Sequence, residues 1–258
     1  MKRTVVITGA SSGIGAACAK AFAKKGFQLI LGARRLEKLE ELKREIEEET
    51  GSSPFIHILD VTSLKSSQEF VQSALKTFGR VDILINNAGL AKGKKLFVHE
   101  TESEDDWRQM IDTNVMGLLR MTRLLLPQMI KQKAGHILNI GSNAGRNPYA
   151  GDAVYCATKS AVITLTEVLR HELLGHPIRV TTIDPGMVHT EFNLVRLNGD
   201  HEKADSIYEG MQPLTAEDVA DCVLFAATRP SYVNIDAIIV KPLDQVNAYQ
   251  IYRRNGNK

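Results

Sequence analysis

Short runs of β-branched and aliphatic residues alternate along the whole chain with segments of helical periodicity, and this alternation is the strongest constraint on the fold. "TVVI" precedes "GIGAACAKAFAKKG", "QLILGA" precedes "LEKLEELKREIEEE", "PFIHILDV" precedes "SSQEFVQSALKTFG", and "VDILINN" precedes a long helix from about Asp106. "GHILNIGS", a helix from about Asp152 to Leu174, "IRVTTID", a helix from about Ala216 to Thr228 and "IDAIIVKP" complete the pattern. Strands that are apolar at nearly every position are buried on both faces, which argues for a parallel sheet covered by helices on each side. The 258 residues, 43% of them hydrophobic, can enclose such a core. No linker or internal repeat divides them, so a single α/β domain over residues 1–258 is expected. The mixed charges of "LEKLEELKREIEEE" read as a solvated helix face, and Pro127 is expected to bend or end a turn of the fourth helix.

Directly after the first run comes "TGASSGIG", which places Gly9, Gly13 and Gly15 where a strand turns into a helix. Glycine there lets the backbone of Ser11, Ser12 and Ile14 come close to a ligand, and the helix N-terminus offers unpaired N–H groups to a pyrophosphate. Dinucleotide folds often end the second strand with an acid that holds the ribose 2′-hydroxyl. Here "LILGARR" supplies Arg34 and Arg35 instead, and guanidinium groups suit a 2′-phosphate, so NADP(H) is the expected cofactor. Asp60 and Val61 end the third run, and Asn87, Ala88 and Gly89 of "NNAG" end the fourth, at the carboxyl edge where open α/β sheets bind ligands. For Asp60, capping of the next helix stands beside adenine contact as a reading.

In "AGDAVYCATKSAV", Tyr155 precedes Lys159 by one helical turn, so phenol and ammonium converge on one small volume. A phenol with its ordinary pKa of about 10 is a poor base near neutral pH, and a neighbouring cation stabilises the phenolate. Lys159, together with the positive nicotinamide ring of the oxidised cofactor, is expected to draw the Tyr155 pKa down toward working pH, so that the pair forms a proton donor and acceptor. Cys156, on a different helix face, is read as packing.

With "TGASSGIG", "NNAG", "NIGS", "YCATK" and "DPG" in this order over nearly the whole chain, the sequence resembles the short-chain dehydrogenase/reductase family. The resemblance implies a doubly wound Rossmann fold with a seven-stranded parallel sheet and helices on both faces. It also implies a catalytic Ser, Tyr and Lys with an accessory Asn, which fall on Ser142, Tyr155, Lys159 and Asn114. Ser142 would donate to the substrate oxygen as oxyanion donors do. For Asn114 a water-linked proton relay through Lys159 stands beside a purely structural side-chain bond. By the same resemblance Pro185 and Gly186 turn against the nicotinamide, and Val188 and Thr190 contact its carboxamide and phosphate. "PYAGDAVYCATK" and "EFNLVRLNGD" look more narrowly like the NADP-dependent 3-hydroxy acid, or serine, dehydrogenase branch.

The expected reaction is hydride transfer between NADP(H) and the hydroxyl/ketone of a small 3-hydroxy acid such as serine or allo-threonine. A broad carbonyl reductase is the competing enzyme. A non-catalytic NADP(H)-binding sensor would have little reason to keep Ser142, Tyr155 and Lys159 together. A substrate carboxylate in a dry pocket needs a cation, and Arg146 and Arg196 are the candidates, each with a loop charge or subunit contact as the alternative. The irregular stretch at about 193–212, with a helical piece "KADSIYEGM", reads as a substrate lid.

A net charge of +2, with no basic run longer than clusters such as Lys92 to Lys95, gives no case for nucleic acid or a membrane surface. "MKRTVVITGASSG" is too short in apolar residues for a signal segment, so a cytoplasmic protein is expected. Cys18, Cys156 and Cys222 form no Cys-x-x-Cys pair and the histidines no ligand-spaced set, so neither disulfide nor metal is expected. The resemblance further implies a homotetramer built on the long helices from Asp106 and Asp152.

Overall fold

The structure, a computed structural model, describes residues 2–93, 96 and 103–254. Of the 92–95 lysine cluster, Lys94 and Lys95 lie outside these. Seven parallel strands form one sheet: β1 (Thr4–Thr8), β2 (Gln28–Ala33), β3 (Phe55–Ile58), β4 (Ile83–Asn86), β5 (Gly135–Ile140), β6 (Ile178–Pro185) and β7 (Ala237–Val240), in the order β3-β2-β1-β4-β5-β6-β7. The order reverses between β1 and β4, and every expected strand is present. Register along β1 pairs Val6 with Ile30 on one side and with Leu84 on the other.

Apolar continuity within each strand is explained by the two faces. Val5 and Ile7 enter one core with α1 (Gly13–Lys24), α2 (Leu36–Thr50) and α10 (Ala216–Ala227), whereas Val6 enters the other. That second core is made with α3 (Leu64–Phe78) and α5 (Leu118–Gln132), and Leu173, just past α7 (Ala153–Glu172), joins it. All three residues are fully buried, which a half-solvated strand would not allow.

The long fourth helix is not continuous. It begins as α4 (Glu104–Ile111), passes through a π-helical turn at Asp112–Gly117, and resumes as α5. Pro127 neither ends α5 nor interrupts it, and it lies on the exposed face of the helix together with Arg123, one turn before it. A short α6 (Asn143–Arg146) precedes α7, and the stretch after β6 carries α8 (Phe192–Arg196) and α9 (His201–Ser206). The helical piece expected over "KADSIYEGM" therefore starts and ends earlier, because Asp200 accepts from the Lys203 N–H and caps α9.

Candidate active site

A cleft of about 760 Å³ opens at the carboxyl edge of the sheet, over the point where the strand order reverses. Its floor is the turn from β1 into α1. Gly9 has φ +64, and a Cβ there would lie 2.8 Å from the Ala88 Cα, so glycine is required both by conformation and by the close approach of the "NNAG" strand end. Asn87 locks that approach, donating from Nδ2 to the Thr8 and Gly9 carbonyls at 3.0 Å. Gly9, Ser11, Ser12, Gly13 and Ile14 line the cleft. Gly15 does not; a Cβ on it would lie 2.4 Å from the Gly9 carbonyl oxygen, so its task is to let α1 pack against the turn.

At one end of the cleft, Arg34 and Arg35 follow β2. Arg35 donates to Ser12 Oγ at 2.8 Å, to Ser11 Oγ at 3.3 Å and to Glu191 Oε2 at 3.1 Å. Asp60 and Val61 line the neighbouring wall. Ser63, not Asp60, caps α3, and the Asp60 carboxylate instead accepts from the Thr62 backbone and hydroxyl at 2.9 and 2.7 Å. This cradle of glycine backbone, hydroxyls and arginine fits the pyrophosphate and a 2′-phosphate of NADP(H), the fit resting on the close approach at Gly9 and the convergence on Arg35.

Deeper in, Ser142, Tyr155 and Lys159 share the cleft. Ser142 ends the turn after β5 and caps α6 by accepting from the Ala144 N–H at 3.1 Å. Lys159 donates from Nζ to the Ile140 carbonyl at 2.8 Å and lies 5.9 Å from the Tyr155 ring centroid. Burial pushes the Tyr155 phenol up to about 12 in the protein alone; the expected lowering invokes Lys159 together with the positive nicotinamide ring of the oxidised cofactor. Burial likewise holds Lys159 at about 8, with Asp184 opposing.

Asn114 sits in the π-helical turn, a feature often found at functional sites, and does not line the cleft. Its side chain accepts from the Leu90 N–H and donates to the Leu90 carbonyl, both at 2.9 Å, and to Thr158 Oγ1 at 3.1 Å. Asn114 Oδ1 and Lys159 Nζ both lie within 4 Å of where a Gly89 Cβ would stand.

Pro185, Gly186, Val188 and Thr190 form the wall after β6. The Gly186 turn is backed by Gln245, whose Oε1 accepts from the Met187 N–H at 2.9 Å and would lie 2.3 Å from a Gly186 Cβ. Two arginine expectations part company here. Arg146 does not line the cleft; its guanidinium is paired with the buried Asp184, Nε to Oδ2 at 2.7 Å, a pair needed because an isolated buried carboxylate is costly. Arg196 does line it, buried, but is ion-paired with Asp152 and donates to the Gly93 carbonyl at 3.2 Å.

Sequence reasoning overlooked several lining residues. Phe192 packs on the Tyr155 ring at 5.7 Å between centroids, and Tyr149, Glu191 and the C-terminal Gln245, Tyr249 and Arg253 also reach the cleft. Tyr249 accepts from the Ala150 N–H at 2.6 Å. The tail has no periodicity that points to a site, and nothing local links residues so far apart.

A doubly wound sheet with a glycine turn at the end of its first strand and a Ser, Tyr and Lys gathered in the same cleft fits a class of dinucleotide-dependent oxidoreductase. The chain belongs to the short-chain dehydrogenase/reductase family: the short chain dehydrogenase model matches residues 3–198. It is 45% identical to the NADP-dependent 3-hydroxy acid dehydrogenase of Schizosaccharomyces pombe, over 98% of this chain and 97% of that protein. It is 40% identical to the serine 3-dehydrogenase of Agrobacterium fabrum, over 99% of this chain and 100% of that one. Among solved structures, the closed form of serine dehydrogenase complexed with NADP+ matches with a TM-score of 0.90 at 42% identity, covering 95% of this chain and 97% of that one.

Proposed function

We propose that this protein is an NADP(H)-dependent dehydrogenase of small 3-hydroxy acids such as serine or allo-threonine, with Ser142, Tyr155 and Lys159 as its catalytic set. The observation that carries the reading is the convergence of those three side chains in a cleft whose other end presents Arg35 with the Ser11 and Ser12 hydroxyls. Similarity to dehydrogenases of 3-hydroxy acids and serine supports the substrate class.

The Gly9–Gly13 turn, Arg34, Arg35, Asp60, Val61, Asn87, Ala88 and Gly89 would hold NADP(H), which when bound would supply or accept the hydride. Pro185, Gly186, Val188 and Thr190 face the nicotinamide. Ser142 donates to the substrate oxygen, while Tyr155 gives that oxygen a proton in reduction and takes it in oxidation. Lys159 fixes the ribose and carries the proton link, with Asn114 behind it. The 193–212 stretch acts as a lid, tied down through Tyr208, which donates to the Val188 carbonyl at 2.7 Å and accepts from Asn193 at 2.6 Å.

Changing Arg35 to alanine should weaken NADPH at least about tenfold with little effect on NADH, since charged hydrogen bonds to phosphate contribute about 1.5–3 kcal/mol. Titration of both cofactors decides it, and equal losses would place the specificity elsewhere.

Arg196 is the remaining candidate for the substrate carboxylate, and Asp152 would hold its guanidinium in position. Arg196→Met alone leaves Asp152 without its cation, so the double change with Asp152→Asn is the cleaner variant. It should raise KM for 3-hydroxy acids about tenfold or more while sparing neutral alcohols. The internal pairing of Arg196 also favours a second reading, a carbonyl reductase of broad range, because a neutralised pocket does not demand an anion. A screen of NADP+ reduction with L-serine, L-allo-threonine, 3-hydroxyisobutyrate and simple secondary alcohols separates the two.

No helix among the described residues is long and apolar enough to cross a membrane. The reading places the protein in the cytoplasm, supported by its three free thiols. It places a homotetramer on α4, α5 and α7, supported by exposed Ile111, Ile130 and Val168; light scattering after gel filtration tests the assembly.

A further inference from the structure

Glu191 belongs by sequence to the nicotinamide side of the cleft, since it stands between Thr190 and α8, yet its carboxylate meets the arginine at the far end. Oε2 accepts from Nη1 and Nη2 of Arg35, both at 3.1 Å. The same Nη2 donates to Ser12 Oγ at 2.8 Å and Ser11 Oγ at 3.3 Å. A guanidinium fork with two hydroxyls suits a phosphate monoester, while the carboxylate already on that fork repels one. With the side chains 43% and 48% exposed, the ion pair is screened by water and weak enough to be displaced.

We infer that Glu191 is an internal competitor for the 2′-phosphate of NADP(H): it holds Arg35 when the cofactor is absent, yields it to the phosphate, and returns to speed release. The inference rests on the assignment of Arg35 to the 2′-phosphate made above. A phosphate monoester carries about −1.5 to −2 charges at neutral pH and takes the fork from a single carboxylate. The 2′-hydroxyl of NAD(H) carries no charge with which to do so, and it can donate to Glu191 instead. Glu191 thus sets how strongly the enzyme separates the two cofactors. Displacement reaches the reaction centre, because the next residue, Phe192, opens α8 and packs on the Tyr155 ring.

The test is Glu191→Gln, which keeps size and hydrogen bonding but removes the charge. NADPH and NADH binding are measured without substrate by cofactor fluorescence, and NADPH release by stopped flow. The variant should bind NADPH about two- to fivefold more tightly, the range for loss of an exposed ion-pair competitor, with the gain in slower release. NADH affinity should stay level or fall. In the Arg35→Ala background the Glu191→Gln gain should disappear. Unchanged NADPH affinity, equal tightening of both cofactors, or a gain that survives without Arg35 would each overturn the competitor role. If Arg35→Ala alone weakens NADPH and NADH alike, the 2′-phosphate assignment itself falls, an outcome distinct from a silent Glu191 beside an Arg35 that discriminates.

Discussion

Tyr155→Phe should cut turnover about a hundred- to ten-thousandfold, the usual contribution of a positioned acid or base, while NADPH binds as in the wild type. The ring is buried and packs on Phe192, so phenylalanine keeps the contact surface and removes only the hydroxyl. With the phenol pushed up to about 12 by burial in the cofactor-free protein, Tyr155 is protonated at neutral pH and ready to donate during ketone reduction. Alcohol oxidation needs the opposite state. Its wild-type rate should therefore climb with pH, and this limb should be missing from any residual activity of the variant. Single-turnover reduction and a pH profile in both directions are the measurements; turnover near the wild-type level would remove Tyr155 from the proton-transfer role.

Lys159→Met should abolish most activity and also change how stability depends on pH. In the folded, cofactor-free protein burial lowers the lysine from 10.5 to about 8, so between these values the unfolded chain holds more protons than the folded one. Wild-type stability then rises as pH increases from 8 to 10.5, and below 8 the buried charge imposes its full cost. A lowering of this size corresponds to roughly 3 kcal/mol, at about 1.4 kcal/mol for each pH unit. Methionine does not titrate, so relative to the variant the wild type should gain about that much between neutral and alkaline pH. Loss of the hydrogen bond to the Ile140 carbonyl offsets the two curves by a constant and leaves the slope difference intact. Urea unfolding at several pH values reads it out, and parallel curves would show that Lys159 is not held in the lowered state. Cofactor should oppose the effect, since hydroxyls brought to Nζ stabilise the ammonium.

How much of this was legible beforehand follows from the range of the forces involved. Strand and helix order could be read because β-branched runs buried on both faces carry no polar period, while Leu39, Leu42 and Ile46 recur at helical spacing along α2. The glycine turn after β1 could be read because Gly9, with φ +64, answers a backbone demand. The π-helical turn at Asp112–Gly117 could not, since it is stabilised by what Asn114 binds at Leu90 and Thr158, far away in sequence. Arg146 misled for the same reason: a loop arginine four residues past Ser142 looks free until β6 brings Asp184 beneath it.

The sequence by itself determined the parallel sheet covered by helices on both faces, the glycine turn after the first strand, and which residue types stand at the strand ends, because periodicity, glycine conformation and helix spacing act over a few residues; the doubly wound order was implied by the family resemblance. Only the tertiary structure decided which charges meet. It gave Arg146 to Asp184, Arg196 to Asp152 and Arg35 to Glu191, brought Gln245 under Gly186, and buried Tyr155 and Lys159 deeply enough to raise the phenol and lower the ammonium in the protein alone. Ion pairing and desolvation depend on the surroundings of an atom in space, and those surroundings are assembled from segments that the chain order keeps apart.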